Sequence, residues 1–349
     1  MKKNLTLLFA VLLLAGTVWA QDRKFAVYAV GFYNQENLFD TCHDEGKNDY
    51  QFLPDGSYHW DARKYTNKLQ NMARALADMG TDMLPGVGCA MIGLSEVENA
   101  KVLDDLTAQK PLAERGYKYV HVEGPDKRGV DCAMLYNPAL FTPTDVKLHP
   151  YVPELPKDSS FITRGFLTVQ GQLGGEAVTV IVCHWPSRAA GSYYRELGGK
   201  QVKAIKDQLL KENPANKVMV MGDMNDDPTD KSMVDKLSAK PDIAKLGASD
   251  MYNPWYNILS KEGRGTLMYN GSWNLFDQIV MTPNMINRSG SKDYSTLKYL
   301  KCQIFSRPYL FQTEGKYKGA PKRTTAGGIW LNGYSDHLPV VVYLAKEQR

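Results

Sequence analysis

The 349-residue sequence has only five cysteines (Cys42, Cys89, Cys132, Cys183 and Cys302), an odd number with no close pair. A disulfide framework is therefore not what holds the fold, and a chain of this length buries a large core without staples. Cys89, Cys132 and Cys183 lie in or beside apolar strand-like runs, which marks them as buried free thiols. Past the first twenty residues no apolar run approaches the length that spans a bilayer. Charge of one sign is also scarce: 42 Lys plus Arg against 38 Asp plus Glu leaves a formal net charge of +4. Such a balance creates no global field for nucleic acid or anionic lipid, so any polyanion preference has to come from a local patch. No His-x-x-x-His or Cys-x-x-Cys spacing occurs, which makes zinc a poor choice of metal.

What is present is ordinary for a globular protein. With 43% hydrophobic and 23% charged residues, disordered, collagen-like and coiled-coil classes are excluded. Residues 1–20 stand apart. Lys2 and Lys3 precede an apolar run from Leu7 to Ala15, and Val18-Trp19-Ala20 ends on a small residue. This pattern predicts a cleaved signal peptide and a secreted or periplasmic protein with no stable membrane insertion afterwards. Gln21 rather than cysteine follows the expected cleavage point, which argues against lipid attachment. Cleavage lowers the formal charge to +2, because two lysines leave and no acid does.

From Phe25 onward, short apolar stretches end in polar residues. Phe25 to Phe32 stops at Tyr33-Asn34-Gln35-Glu36-Asn37, Ala90 to Leu94 at Ser95-Glu96, Val178 to Cys183 at His184, and Val218 to Met221 at Gly222-Asp223-Met224-Asn225. β-Branched and aromatic content predicts further strands at Asp131–Tyr136, Gly165–Gln170, Asp277–Met281 and His337–Leu344. Tyr65, Leu69, Met72, Leu76 and Met79 recur at helical steps after Asp61 and before Gly80. Val102, Leu103 and Leu106 mark a second helix, and Val202, Ile205 and Leu209 a third. With no linker-like break, the expectation is one α/β domain from residue 21 to 349, and a monomer.

Asn34, Glu36, Glu96, His184, Asp223, Asn225, Asp277, Asp336 and His337 all fall at strand ends, where α/β proteins build ligand sites. So many acids gathered together are costly without a cation. Hard oxygen donors favour Mg²⁺ or Mn²⁺. Each residue also has a plainer reading. Asp223 and Asn225 suit a turn, Glu96 a helix cap, and Ser335-Asp336-His337 a hairpin loop.

Five strings in order, Phe-Tyr-Asn34-Gln-Glu36-Asn-Leu-Phe, Gly-Leu-Ser-Glu96-Val, Val-Cys-His184-Trp, Gly222-Asp223-Met-Asn225 and Ser335-Asp336-His337, resemble the endonuclease/exonuclease/phosphatase superfamily from Phe32 to Val341. Any one alone is a weak match. The resemblance implies a four-layer α/β sandwich, two packed mixed β-sheets flanked by helices. It also implies that Asn34, Glu36, Glu96 and Asp336 hold the metal, and that Asp223 and Asn225 orient water and the scissile phosphate. His337 then acts as base or phosphate donor, with Asp277 on its other ring nitrogen. His184 assists near the leaving group, as in the deoxyribonuclease and sphingomyelinase branches; apurinic endonucleases carry tyrosine there.

The implied activity is divalent-metal-dependent hydrolysis of a phosphate ester, with a nuclease-like phosphodiesterase as the first expectation and nucleic acid among the candidate partners. Inositol phosphate phosphatase and sphingomyelinase-like activities are the alternatives within the family. A non-catalytic binding protein on the same scaffold is the alternative outside enzymes. Arg188 and Arg195, beside Trp185, Tyr193 and Tyr194, are candidates to grip substrate, against a plain solvated loop leading into a helix. Lys322 and Arg323, closing the basic stretch that starts at Arg307, are candidates of the same kind, against ordinary soluble surface. Arg128 and Arg164 are expected in structural ion pairs, and His43-Asp44-Glu45 in a surface loop.

Overall fold

A computed structural model describes residues 24–288 and 291–348. The expected signal peptide lies outside these residues. Seventeen strands and five α-helices are described. In chain order the strands are β1 (Phe25–Leu38), β2 (Cys89–Val97), β3 (Lys118–His121), β4 (Asp131–Tyr136), β5 (Phe141–His149) and β6 (Phe166–Leu173). Next come β7 (Glu176–His184), β8 (Lys217–Asp223), β9 (Ala239–Lys240), β10 (Met251–Tyr252), β11 (Leu267–Tyr269) and β12 (Ser272–Asn274). The last are β13 (Asp277–Met281), β14 (Lys298–Ile304), β15 (Thr325–Ala326), β16 (Ile329–Trp330) and β17 (Val340–Glu347). The helices are α1 (Ala62–Asp78), α2 (Ala100–Thr107), α3 (Lys110–Ala113), α4 (Ser192–Glu212) and α5 (Tyr256–Glu262).

Two mixed sheets form the centre. One has six strands in the order β14-β17-β1-β2-β4-β3, the other seven in the order β5-β6-β7-β8-β13-β10-β9. β1 runs parallel to β2, and β7 parallel to β8; β13 returns antiparallel on β8. Both faces of the central strands are apolar, with Val30, Phe32, Ile92, Leu94, Val180, Val182, Val220 and Ile279 fully buried. Each such side chain contributes roughly 1.5–3 kcal/mol by leaving water. Close approach of the sheets requires Gly93, because a Cβ there would sit 2.5 Å from the Met221 sulfur.

Helices flank the sandwich, α1 against β1 and α4 against β8. Asp61 starts α1 by accepting a hydrogen bond from Lys64 N–H, and Asn99 caps α2 in the same way. Gly199 sits mid-helix in α4, where a Cβ would come within 2.4 Å of the Ser232 carbonyl on the neighbouring helical turn.

The sequence-predicted strands and helices are present with shifted ends. β1 extends to Leu38, because after an irregularity between Asn34 and Leu38 the chain pairs again with Val97. The last strand begins at Val340 rather than His337. Residues 337 and 338 leave the sheet to dock on another segment: His337 bridges Leu267, and Leu338 N–H donates to the Thr266 carbonyl. α4 begins at Ser192, so Tyr193, Tyr194 and Arg195 lie in its first turn rather than in a loop.

Candidate active site

Sheet register places the first three groups side by side. His184, the last residue of β7, is opposite Asp223, the last of β8, and Asp223 is opposite Asp277, the first of β13. The six-stranded sheet brings Asn34 and Ser95 together on β1 and β2. Both strands break register immediately afterwards, between Asn34 and Leu38 and between Ser95 and Val97. The irregularities have a backbone cause. Glu36 (φ 47°) and Glu96 (φ 60°) adopt the left-handed conformation, as does Asn225 (φ 49°). Non-glycine residues held there cost about 1–3 kcal/mol each and concentrate at functional sites. A bulge re-aims a side chain, here each carboxylate.

The side chains meet in a continuous chain of contacts. Glu96 Oε1 lies 3.6 Å from His184 Nε2, which lies 3.7 Å from Asp223 Oδ2. That oxygen is 3.8 Å from His337 Nε2, which is 3.9 Å from Asp336 Oδ1. Asn34 Nδ2 donates to Asp223 Oδ2 at 3.0 Å, and Asp277 Oδ2 meets His337 Nδ1 at 2.7 Å. Asn225 donates from its backbone N–H to Asp223 Oδ1 and from its amide to the Trp185 carbonyl. These contacts join eight of the nine sequence-predicted residues; the ninth, Glu36, connects through its backbone N–H, which donates to Asn34 Oδ1 at 2.8 Å.

Burial sets the electrostatics. It pushes the Asp223 carboxyl up, with His337 opposing and Asp277 adding to the rise. For His337, burial works against protonation, but Asp277 and Asp223 outweigh it and hold the ring well above the ordinary imidazole value. His184 moves the other way, pulled down by burial and then by Arg164, Arg128 and His337. The two imidazoles are therefore shifted in opposite directions, the proton favoured on His337 and disfavoured on His184.

Glu36 is placed differently from Glu96. Its Oε1 accepts from Arg323 Nε at 3.1 Å and its Oε2 from Thr324 N–H at 2.6 Å, so both oxygens are already engaged. Glu96 Oε2 accepts from Asn37 N–H, while Oε1 faces His184. Arg323, half-exposed, also reaches Asp336 Oδ2 at 3.1 Å. Lys322 sits beside it, tied through its backbone to Leu310 and Tyr334.

The two other basic candidates are committed to acids. Arg195 is buried, with Nε on Asp226 Oδ1 at 2.7 Å and Nη1 on the carbonyls of Ser187 and Ala190. Arg188 lies over the Phe276 ring and binds Asp227 and Asp230. Arg128 and Arg164 share Asp126, the ion pairs the sequence predicts. Lys68 of α1 was not among the expected residues. It is buried, its affinity for a proton lowered by burial against the pull of Glu36, Asp336 and Glu96. The signal was present: position 68 lies three after Tyr65 and four before Met72, on the apolar face.

Residues 29–346 match the Endonuclease/Exonuclease/phosphatase family. The chain belongs to that family. It is a phosphoesterase family, and the four-layer arrangement is its fold. An endonuclease/exonuclease/phosphatase family protein from Bacteroides thetaiotaomicron is similar at 15% identity and TM-score 0.56, over 93% of this chain and 96% of that one. The mannosyl-6-phosphatase of B. thetaiotaomicron VPI-5482 is similar at 15% identity and TM-score 0.55, over 91% and 99%. D. rerio TDP2 complexed with a single-strand DNA product is similar at 12% identity and TM-score 0.53, over 91% and 99%. At these identities the likeness shows the fold. No curated protein matches the chain.

Enzymes of this family are generally divalent-metal dependent. Among the described residues, no three His, Cys, Asp or Glu side chains are gathered tightly enough to hold an ion by themselves. The donor chemistry fits a hard cation that keeps water and substrate oxygens in its shell. Glu96 Oε1 and Asp336 Oδ1 are carboxylate oxygens without a hydrogen-bond donor among the described residues, on the two sides of the cluster.

Proposed function

We propose that the protein is an exported, Mg²⁺- or Mn²⁺-dependent phosphoesterase that hydrolyses a compact phosphate ester. The contact chain Glu96–His184–Asp223–His337–Asp336 carries this reading, because it sets carboxylate oxygens and two imidazoles around one space. Glu96 and Asp336, with Asn34, would hold the cation. When bound, it lowers the charge barrier at a non-bridging phosphate oxygen and at the leaving alkoxide. Asn225 and Asn34 fix the Asp223 carboxylate. Asp277 fixes the orientation of the His337 ring, leaving Nε2 directed at Asp223. A water beside Asp223 then gives its proton to that carboxylate while attacking phosphorus in line, and the His337 ring donates to a phosphate oxygen. His184 stands by the departing oxygen. Export rests on the residue 1–20 pattern alone.

The preference for a compact substrate rests on Arg188 and Arg195. Both are tied to aspartates, which removes the cationic surface the sequence suggested beside His184. The nuclease-like reading is the second one. Lys316, Lys318 and Lys322 lie in the stretch that leads to Arg323, which reaches Asp336 Oδ2, and the similarity to TDP2 favours it in fold. The test is a panel of sugar phosphates, inositol phosphates, sphingomyelin, DNA and RNA, each with Mg²⁺ and with chelator, repeated across ionic strength. A compact substrate predicts turnover nearly flat in salt; a nuclease predicts a steep fall. Hydrolysis of DNA alone would overturn the first reading.

A further inference from the structure

Lys68 is 1% exposed. Burying an ammonium costs several kcal/mol unless it is well partnered. Its partners are neutral: Nζ donates to Thr324 Oγ1 at 2.6 Å and to the Tyr334 carbonyl at 2.5 Å. The acids that offset its charge, Glu36, Asp336 and Glu96, act from beyond contact. A buried cation with no touching counter-ion is a poor stabiliser, so its geometry is the informative part.

Thr324 and Tyr334 bracket the segment that carries the β15–β16 hairpin and returns to the site. Lys68 closes that segment at its neck. Thr324 is gripped from the opposite side, where its N–H donates to Glu36 Oε2. Arg323 next to it spans Glu36 and Asp336. Beyond Tyr334, Ser335 Oγ accepts from His337 N–H. Asp336 and His337 therefore follow a carbonyl that Lys68 ties to α1, its other donor being Thr324 Oγ1 at 3.3 Å, while Arg74 of α1 reaches only the Tyr334 hydroxyl, at 3.3 Å.

We propose that Lys68 is a positioning residue of the reaction centre: by tying Tyr334 and Thr324 to α1, it sets where Asp336 and His337 stand relative to Asp223 and Glu96. It touches neither substrate nor reacting atoms. The inference rests on the proposed function of Asp336 and His337.

A contrast within α1 tests it. Asn71, one turn on, also ties the helix to this segment, through the Gly333 carbonyl at 2.8 Å and the Asn332 carbonyl at 3.3 Å, but at the surface. Lys68→Met, Asn71→Ala and His337→Ala are compared with wild type on a generic phosphodiester with Mg²⁺. Hydrogen exchange over residues 324–337 is followed in the metal-free proteins. Lys68→Met is expected to lower kcat at least about tenfold with KM within about threefold, and to speed exchange at residues 333–337 while α1 stays protected. Asn71→Ala is expected to leave kcat within about twofold. If Lys68→Met fails to fold, Lys68→Gln, which keeps one donor, is held to the same criterion. A folded Lys68 variant with kcat within twofold of wild type, beside an inactive His337→Ala, overturns this inference and leaves the function standing. A His337→Ala protein at the wild-type rate overturns both.

Discussion

Asp277 Oδ2 lies 2.7 Å from His337 Nδ1, joining residues 60 apart in sequence. Asp277 opens β13 of the seven-stranded sheet, and His337 precedes β17 of the six-stranded one. This hydrogen bond links the two halves of the sandwich at the site. It also leaves Asp277 Oδ1 buried without a partner among the described residues, a local cost that packing alone does not explain.

Asp277→Asn is expected to separate activity from stability. A neutral amide no longer favours the protonated ring or fixes its orientation, so kcat should fall at least about tenfold. The amide keeps the shape of the carboxyl and removes a buried charge, so the melting temperature should change little. Steady-state kinetics and thermal denaturation of the same preparation check this. An active variant would mean the pair is only a structural contact.

Arg195 and Arg188 should behave as structural residues in proportion to burial. Arg195→Leu removes the closest cation from buried Asp226, leaving Arg188 Nε at 3.6 Å and the Ser232 hydroxyl, which costs up to about 3–5 kcal/mol in urea denaturation. Arg188→Ala acts on a pair 42% exposed on the arginine side and should cost no more than about 1 kcal/mol. A rise in KM for Arg195→Leu without loss of stability would restore the substrate-binding expectation.

Thiol reactivity should follow position. All five cysteines are free, with Cys42 exposed, Cys302 intermediate and the rest buried. Burial pushes the thiols of Cys89, Cys132 and Cys183 far up, so they stay protonated and inert. A disulfide-exchange reagent should therefore label Cys42 fast, Cys302 slowly and the other three only after denaturation. Fast labelling of Cys183 would show that β7 opens beside His184.

Much of the site was legible because each residue announces itself locally. A strand that ends in His184 or in Gly-Asp223-Met-Asn225 places a polar group where the apolar pattern stops, whatever the tertiary structure. The α1 helix was equally plain from Tyr65 to Met79, with Asp61 before it. What escaped depends on distant partners. Lys68 falls on the apolar face of α1 by spacing, but what it holds there is legible only with Thr324 and Tyr334 beside it. Arg188 and Arg195 read as free cations until Asp226, Asp227 and Asp230 fold back on them. Glu36 reads as a ligand like Glu96, and only the turn at Thr324 shows its oxygens taken. Short strands such as β9, β10, β15 and β16 have two residues each and carry no period to detect.

The central claim is that Glu96 and His337, 241 positions apart in the sequence, serve one metal-assisted hydrolysis. The direct measurement is the initial rate on a generic phosphodiester and a generic phosphomonoester, with Mg²⁺ and with chelator, for wild type, Glu96→Ala and His337→Ala. The account predicts hydrolysis of at least one ester that chelation abolishes and Mg²⁺ restores, with each substitution lowering it at least about a hundredfold in a folded protein. A wild-type rate insensitive to chelator, or a folded Glu96→Ala protein at the wild-type rate, would contradict it.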